Sequence, residues 1–268
     1  MFYWFNNNIF YFIFYDIIIT LGDDCMSYEN KKLSILADSI STFEGYNNDI
    51  NSNTTIGNNR VYYGGVDHSG STYITDVNKT WWKMLVDELS MSICVNNSWS
   101  GSLVLDVNKD ACGYGKRSAN LHNDITNTYP DVIFIYLGTN DANRLELEIG
   151  EYDKEEIDKF IISHKEPTNF AQAYALMLNN VKQNYKQAKI FAFTLLPFRW
   201  ISKESDDKYY DLMKKLINHF NLYMVDLHKD CNVELTLEYF AEGGFVHPNE
   251  KGMIAIKECV KNTLLKIQ

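Results

Sequence analysis

The sequence predicts an α/β fold: a three-layer α/β/α sandwich around a central, mostly parallel sheet of five strands. Two observations carry that reading. Five short, β-rich runs are almost wholly apolar, as strands covered on both faces must be. Amphipathic stretches of helical period separate them, and such alternation argues for a parallel sheet flanked by helices.

In chain order the runs are LSILA (33–37), SICVN (92–96), DVIFIYL (131–137), KIFAFTLL (189–196) and LYMVD (222–226). TWWKMLVDEL (80–89) has helical period. Residues 168–185 set Phe170, Tyr174, Met177, Leu178 and Val181 on one face, behind Thr168 as the candidate N-cap. Residues 206–220 read similarly, and 249–267 align Met253, Ile256, Val260 and Leu264. No internal repeat or linker divides the chain, so residues 27–268 are expected to form one domain. Segments 45–77 and 103–129 are too long for plain connections. Loops at the carboxyl ends of parallel strands form the ligand crevice of such sheets. The charged stretch 141–166 reads as a lid or as a solvated excursion.

With 46% hydrophobic and 22% charged residues, the 268-residue chain has the composition of a soluble globular protein. A net charge of −10 with no Lys/Arg block argues against a nucleic-acid partner, whose phosphates would be repelled. Cys25, Cys94, Cys112, Cys231 and Cys259 are odd in number, widely spaced and without a CxxC pair. They read as mostly buried thiols in a reducing compartment. Residues 1–26 are apolar and aromatic but carry no Lys or Arg before the apolar run. Asn6, Asn7, Asn8 and Asp16 break that run below the roughly 20 residues that span a bilayer. These residues are read as an extension outside the mature fold, with Met26 as the start of a cytoplasmic protein. An anchor or an atypical export signal is the alternative.

Four polar groups follow strands or precede a helix. Asp38 and Ser39 directly follow the first run, and Gly101 lies in NNSWSGS (96–102) after the second. Glycine there offers an unhindered backbone N–H to an anion. Asn140, in YLGTNDA (136–142), follows the third run, and His247-Pro248 precedes the last helix. Singly these are ordinary, because serine and asparagine serve caps and turns well. Together they supply a nucleophile, two oxyanion donors and a base at one sheet edge, the set that acyl transfer needs.

In order and spacing these blocks resemble those of the SGNH/GDSL hydrolase family. Its Gly-Asp-Ser block looks like Ala37-Asp38-Ser39, and its block-two glycine matches Gly101. Its GxND block matches Gly138-Thr139-Asn140-Asp141, and its DxxHP block matches Gly244-Phe245-Val246-His247-Pro248. The likeness runs from about residue 33 to 262 and includes STFEGY and TWW, similar to a bacterial subgroup. The resemblance implies a flavodoxin-like sheet, a Ser39 nucleophile and a His247 general base. It also implies an oxyanion hole from the N–H groups of Ser39 and Gly101 and the Asn140 side chain. No metal or organic cofactor is implied. Families of this type cleave carboxylic esters: sugar acetates, short acyl chains, lipids and thioesters.

Two departures stand out. Ala37 replaces a glycine, a small change unless φ there is positive. Gly244 replaces the aspartate that fixes the imidazole tautomer and stabilises the imidazolium. In a comparable Ser-His-Asp enzyme, disabling that aspartate costs roughly 10⁴ in turnover. A backbone carbonyl of 240–246 or the longer carboxylate of Glu242 is the candidate orienter, and a base with no orienter is the third option. Asp38, Arg117 and Tyr63, with Tyr62 beside it, are the candidate substrate contacts. Of Trp81 and Trp82 at least one is expected in the core. The expected function is a serine esterase acting on a small ester, with O-acetyl groups on a carbohydrate favoured by the polar, aromatic loops. The alternative is a catalytically impaired protein of the same fold that binds a glycan or acyl ligand. The partner is a small-molecule or carbohydrate ester, with neither nucleic acid nor membrane expected.

Overall fold

Strands β1 (Lys32–Ala37), β2 (Ser92–Ser98), β3 (Val132–Tyr136), β4 (Lys189–Phe193) and β5 (Tyr223–Val225) pair in the order β2-β1-β3-β4-β5. Every pairing is parallel. The computed structural model describes residues 27–46, 61–64, 74–105, 112–144, 147–197, 202–241 and 245–267. Residues 1–26, including Cys25, lie outside them. The helices are α1 (Trp81–Glu88), α2 (Thr139–Ala142), α3 (Lys154–Ser163), α4 (Phe170–Asn184), α5 (Lys203–His219), α6 (Leu227–Asp230) and α7 (Glu250–Lys266). This is the expected three-layer sandwich. Apolar residues fill both faces of the sheet, and β3 is buried along its whole length.

β2 runs two residues beyond its apolar stretch because its polar end is buried and partnered. Asn96 Nδ2 donates to the Ser41 carbonyl at 3.0 Å, and Ser98 Oγ donates to Asn96 Oδ1. β5 is shorter than expected because Asp226 leaves the strand to cap α6. Its carboxylate accepts from the Lys229 N–H and from the Thr194 and Tyr210 hydroxyls. Asn169 rather than Thr168 caps α4: Asn169 Oδ1 accepts the Gln172 N–H, while Gln172 Oε1 accepts the Thr168 N–H. Two reciprocal bonds thus close the helix start, a variant of the capping box.

Within 141–166 the chain forms α3, which packs on α4 through buried Ile157. His219, at the end of α5, holds α3 through Asp158 at 3.0 Å. Both Trp81 and Trp82 are buried. Trp81 lies against Phe134 and Phe193 and donates its indole N–H to Ser41 Oγ at 3.1 Å. Cys94, Cys112, Cys231 and Cys259 are all buried. Among the described residues no helix is long and apolar enough to cross a membrane.

Candidate active site

Strand register brings the motif blocks to one edge. Ala37, the last residue of β1, aligns with Ser98 of β2 and Tyr136 of β3. The segments leading to Ser39, Gly101 and Asn140 therefore leave the sheet side by side at its carboxyl edge. Ala37 is not among the residues with positive φ, so alanine takes this position without strain. Asp38 caps a short 3₁₀ turn, Ser39–Ser41, by accepting the Ile40 N–H at 3.0 Å. The turn presents Ser39, whose Oγ lies 2.9 Å from His247 Nε2.

The loop before α7 fixes the histidine. The Ala241 N–H donates to the His247 carbonyl at 2.9 Å, and the Asn249 N–H donates to the Tyr239 carbonyl at 2.9 Å. Asn249 caps α7 by accepting the Gly252 N–H, and its amide reaches the carbonyls of Leu237 and Glu238. Two residues before the histidine, Phe245 takes φ 51°. A bulky residue in the left-handed region is strained, and this one is held by burial against Phe240. Glu242 and Gly244 lie outside the described residues.

Gly101 has φ +72° and is exposed, and a Cβ there would meet nothing within 4 Å. Its glycine requirement is thus conformational rather than steric. Asn140 Nδ2 donates to the Ser102 carbonyl at 2.9 Å, tying the third block to the second. An amide nitrogen carries two hydrogens, and this bond uses one. Beside it, Asp141 is fully buried and accepts from the Val104 and Leu105 N–H groups at 2.8–3.1 Å. Burial pushes the Asp141 carboxyl up to about 7, outweighing those donors, and the nearby Asp38 adds to the rise.

The candidate substrate contacts sit deeper than a loop reading expects. Asp38 is fully buried. Burial raises its carboxyl above the usual range, opposed by the Ile40 N–H, by Thr139, and by His247 and Arg117. The Thr139 hydroxyl lies beside the Asp38 carboxyl without good hydrogen-bond geometry. Arg117 is 2% exposed. It donates to the carbonyls of Ala37 and Asn97 and to Asn97 Oδ1, under a cation–π contact with Trp99. It bridges the ends of β1 and β2 through those acceptors. Tyr63 is 1% exposed and donates its hydroxyl to the Pro248 carbonyl at 2.9 Å. Sequence reading had no signal for the flat stack of Tyr62 on His247, with centroids 3.4 Å apart, because 185 residues separate the rings in sequence. Among the described residues no group of three or more His, Cys, Asp or Glu could hold a metal ion.

A sequence model of the family described as GDSL-like Lipase/Acylhydrolase matches residues 31–264. A GDSL-like lipase from Bacteroides ovatus aligns at 27% identity with a TM-score of 0.61, covering 89% of this chain and 99% of its own. Another from Bacteroides uniformis aligns at 26% identity with a TM-score of 0.64, covering 87% and 95%. A family two carbohydrate esterase from Clostridium thermocellum shares the fold at 18% identity and a TM-score of 0.52, covering 87% of this chain and 62% of its own. No curated protein matches the chain. With a family match over most of its length, on a fold and motif order that agree with it, the chain belongs to the GDSL-like lipase/acylhydrolase family of ester-hydrolysing serine hydrolases.

Proposed function

We propose that the protein hydrolyses a small carboxylic ester through Ser39 and His247, with an O-acetyl group on a carbohydrate as the substrate class. The single observation that carries the catalytic part is the 2.9 Å approach of Ser39 Oγ to His247 Nε2. In this reading Nε2 takes the Ser39 proton as Oγ attacks the ester carbonyl, and the hydrogen of the neutral ring sits on Nδ1. The tetrahedral oxyanion is held by the N–H groups of Ser39 and Gly101 and by the second amide hydrogen of Asn140. The imidazolium then protonates the departing alkoxide. Water, deprotonated by the same ring, frees the acid from the acyl-enzyme. The carbohydrate part rests on the Asn-, Gly-, Ser- and Tyr-rich composition of segment 45–77.

The test is p-nitrophenyl acetate hydrolysis and fluorophosphonate labelling from pH 6 to 9, followed by acetate release from acetylated oligosaccharides. Turnover and labelling are expected in the parent and are lost in Ser39→Ala. A parent without either, beside a Gly244→Asp variant that has both, overturns the enzyme reading in favour of a ligand-binding protein. Activity on p-nitrophenyl acetate without acetate release from any sugar overturns the carbohydrate part alone.

A further inference from the structure

We propose that Tyr62 is a positioning residue for the His247 imidazole, supplying by ring stacking part of what a carboxylate supplies by hydrogen bonding. The inference rests on His247 being the base. Gly244 stands where the resembling family carries its aspartate, so orientation of the ring has to come from elsewhere. The Tyr62 ring lies over the imidazole with a centroid separation of 3.4 Å and planes 13° apart. A ring packed flat on one face blocks rotation of the imidazole out of its plane, the motion that would carry Nε2 away from Ser39 Oγ.

The stacked ring is itself held by the nucleophile turn. The Tyr62 N–H donates to Thr42 Oγ1 at 2.8 Å, and Thr42 Oγ1 donates to the Ser39 carbonyl at 2.8 Å. One residue further, the Tyr63 carbonyl accepts the Glu44 N–H at 3.0 Å, and the Tyr63 hydroxyl donates to the Pro248 carbonyl at 2.9 Å. Segment 61–64 thus bridges the two halves of the proposed dyad, one tyrosine on the base and the other on the backbone that carries it. Gly64, at φ +85°, turns the chain away where a Cβ would come 2.9 Å from the Phe43 ring.

Stacking restrains the ring plane. The tautomer is set by the partner of Nδ1.

The experiment compares the full chain with Tyr62→Phe and Tyr62→Leu by two readouts. The first is the proton NMR signals of the His247 ring, assigned with His247→Gln. The second is p-nitrophenyl acetate kinetics. In the parent, the His247 ring protons are expected upfield from the Tyr62 ring current. Tyr62→Phe keeps both the shift and the turnover. Tyr62→Leu loses the shift, and kcat falls roughly ten- to hundredfold with KM nearly unchanged, the scale expected for a misplaced catalytic group. Unmoved His219 and His228 signals in Tyr62→Leu show that the fold is intact. The proposal is overturned if Tyr62→Leu leaves the His247 shift and kcat as they are, or if Tyr62→Phe is as impaired as Tyr62→Leu. A parent with the ring-current shift but no Ser39-dependent turnover sinks the esterase reading while the stacking role stands.

Discussion

At Arg117 a buried guanidinium replaces solvent as the partner of the last β1 carbonyl and of its neighbour on β2. A planar fork serves several acceptors at once, and an ammonium does not reproduce it. Arg117→Lys is expected to lower stability by about 2–4 kcal/mol and to reduce kcat through Asp38 and Ser39, with KM little changed. A raised KM at unaltered melting temperature would return Arg117 to the substrate side. Asp141 makes a second prediction at this scale. Its folded carboxyl is pushed up to about 7 from an ordinary 3.8. Below about pH 4 the group is protonated in both states, and its contribution to stability is complete. As pH rises toward 7 the unfolded chain ionises while the folded one keeps its proton, so stability is lost, and the loss levels off above about 7. Denaturant titrations from pH 4 to 7 should show this decline, with a smaller slope in Asp141→Asn. Some slope remains because the raised Asp38 acts with the same sign.

The elements that carry the site are short and depend on single conformations. Gly138 opens α2 at φ +122°, outside the left-handed region that other residues reach, and a Cβ there would come 3.3 Å from Leu195. Gly101, at φ +72° with open space around it, asks only for left-handed backbone. Alanine at 101 is therefore expected to cost about 1 kcal/mol, visible as a small drop in melting temperature. Gly138→Ala should cost more, about 1–3 kcal/mol, and should displace Asn140 so that kcat falls as well. Equal losses in the two variants would contradict the conformational argument. The cap of α4 belongs here too: Asn169→Ala removes the acceptor for the Gln172 N–H and should lower stability by about 1 kcal/mol.

For the whole molecule, the family match spans residues 31–264 and leaves residues 1–26 outside it. A chain started at Met26 is expected to melt within a few degrees of the full one and to keep its esterase rate. Flotation of the full chain, but not the shortened one, with lipid vesicles would instead assign residues 1–25 to an anchor.

Read alone, the sequence determined the fold class, the order of the five strands along the chain and the blocks that gather at the sheet edge. Those follow from local properties: apolar runs too short for helices, amphipathic periods between them, and polar groups just past strand ends. Boundaries drifted where a side chain found a distant partner, as Asn96 did at Ser41 and Asp226 at Thr194 and Tyr210. Arg117 and Tyr63 read as crevice residues because a loop position says nothing of depth, and only packing sent both inward. The pairing of Ser39 with His247 was legible only through the family resemblance, while their 2.9 Å approach and the Tyr62 ring beside the base were decided by tertiary structure. They join residues 39, 62 and 247, and no local rule of sequence reaches across such separations: burial and hydrogen bonding of the whole chain set them.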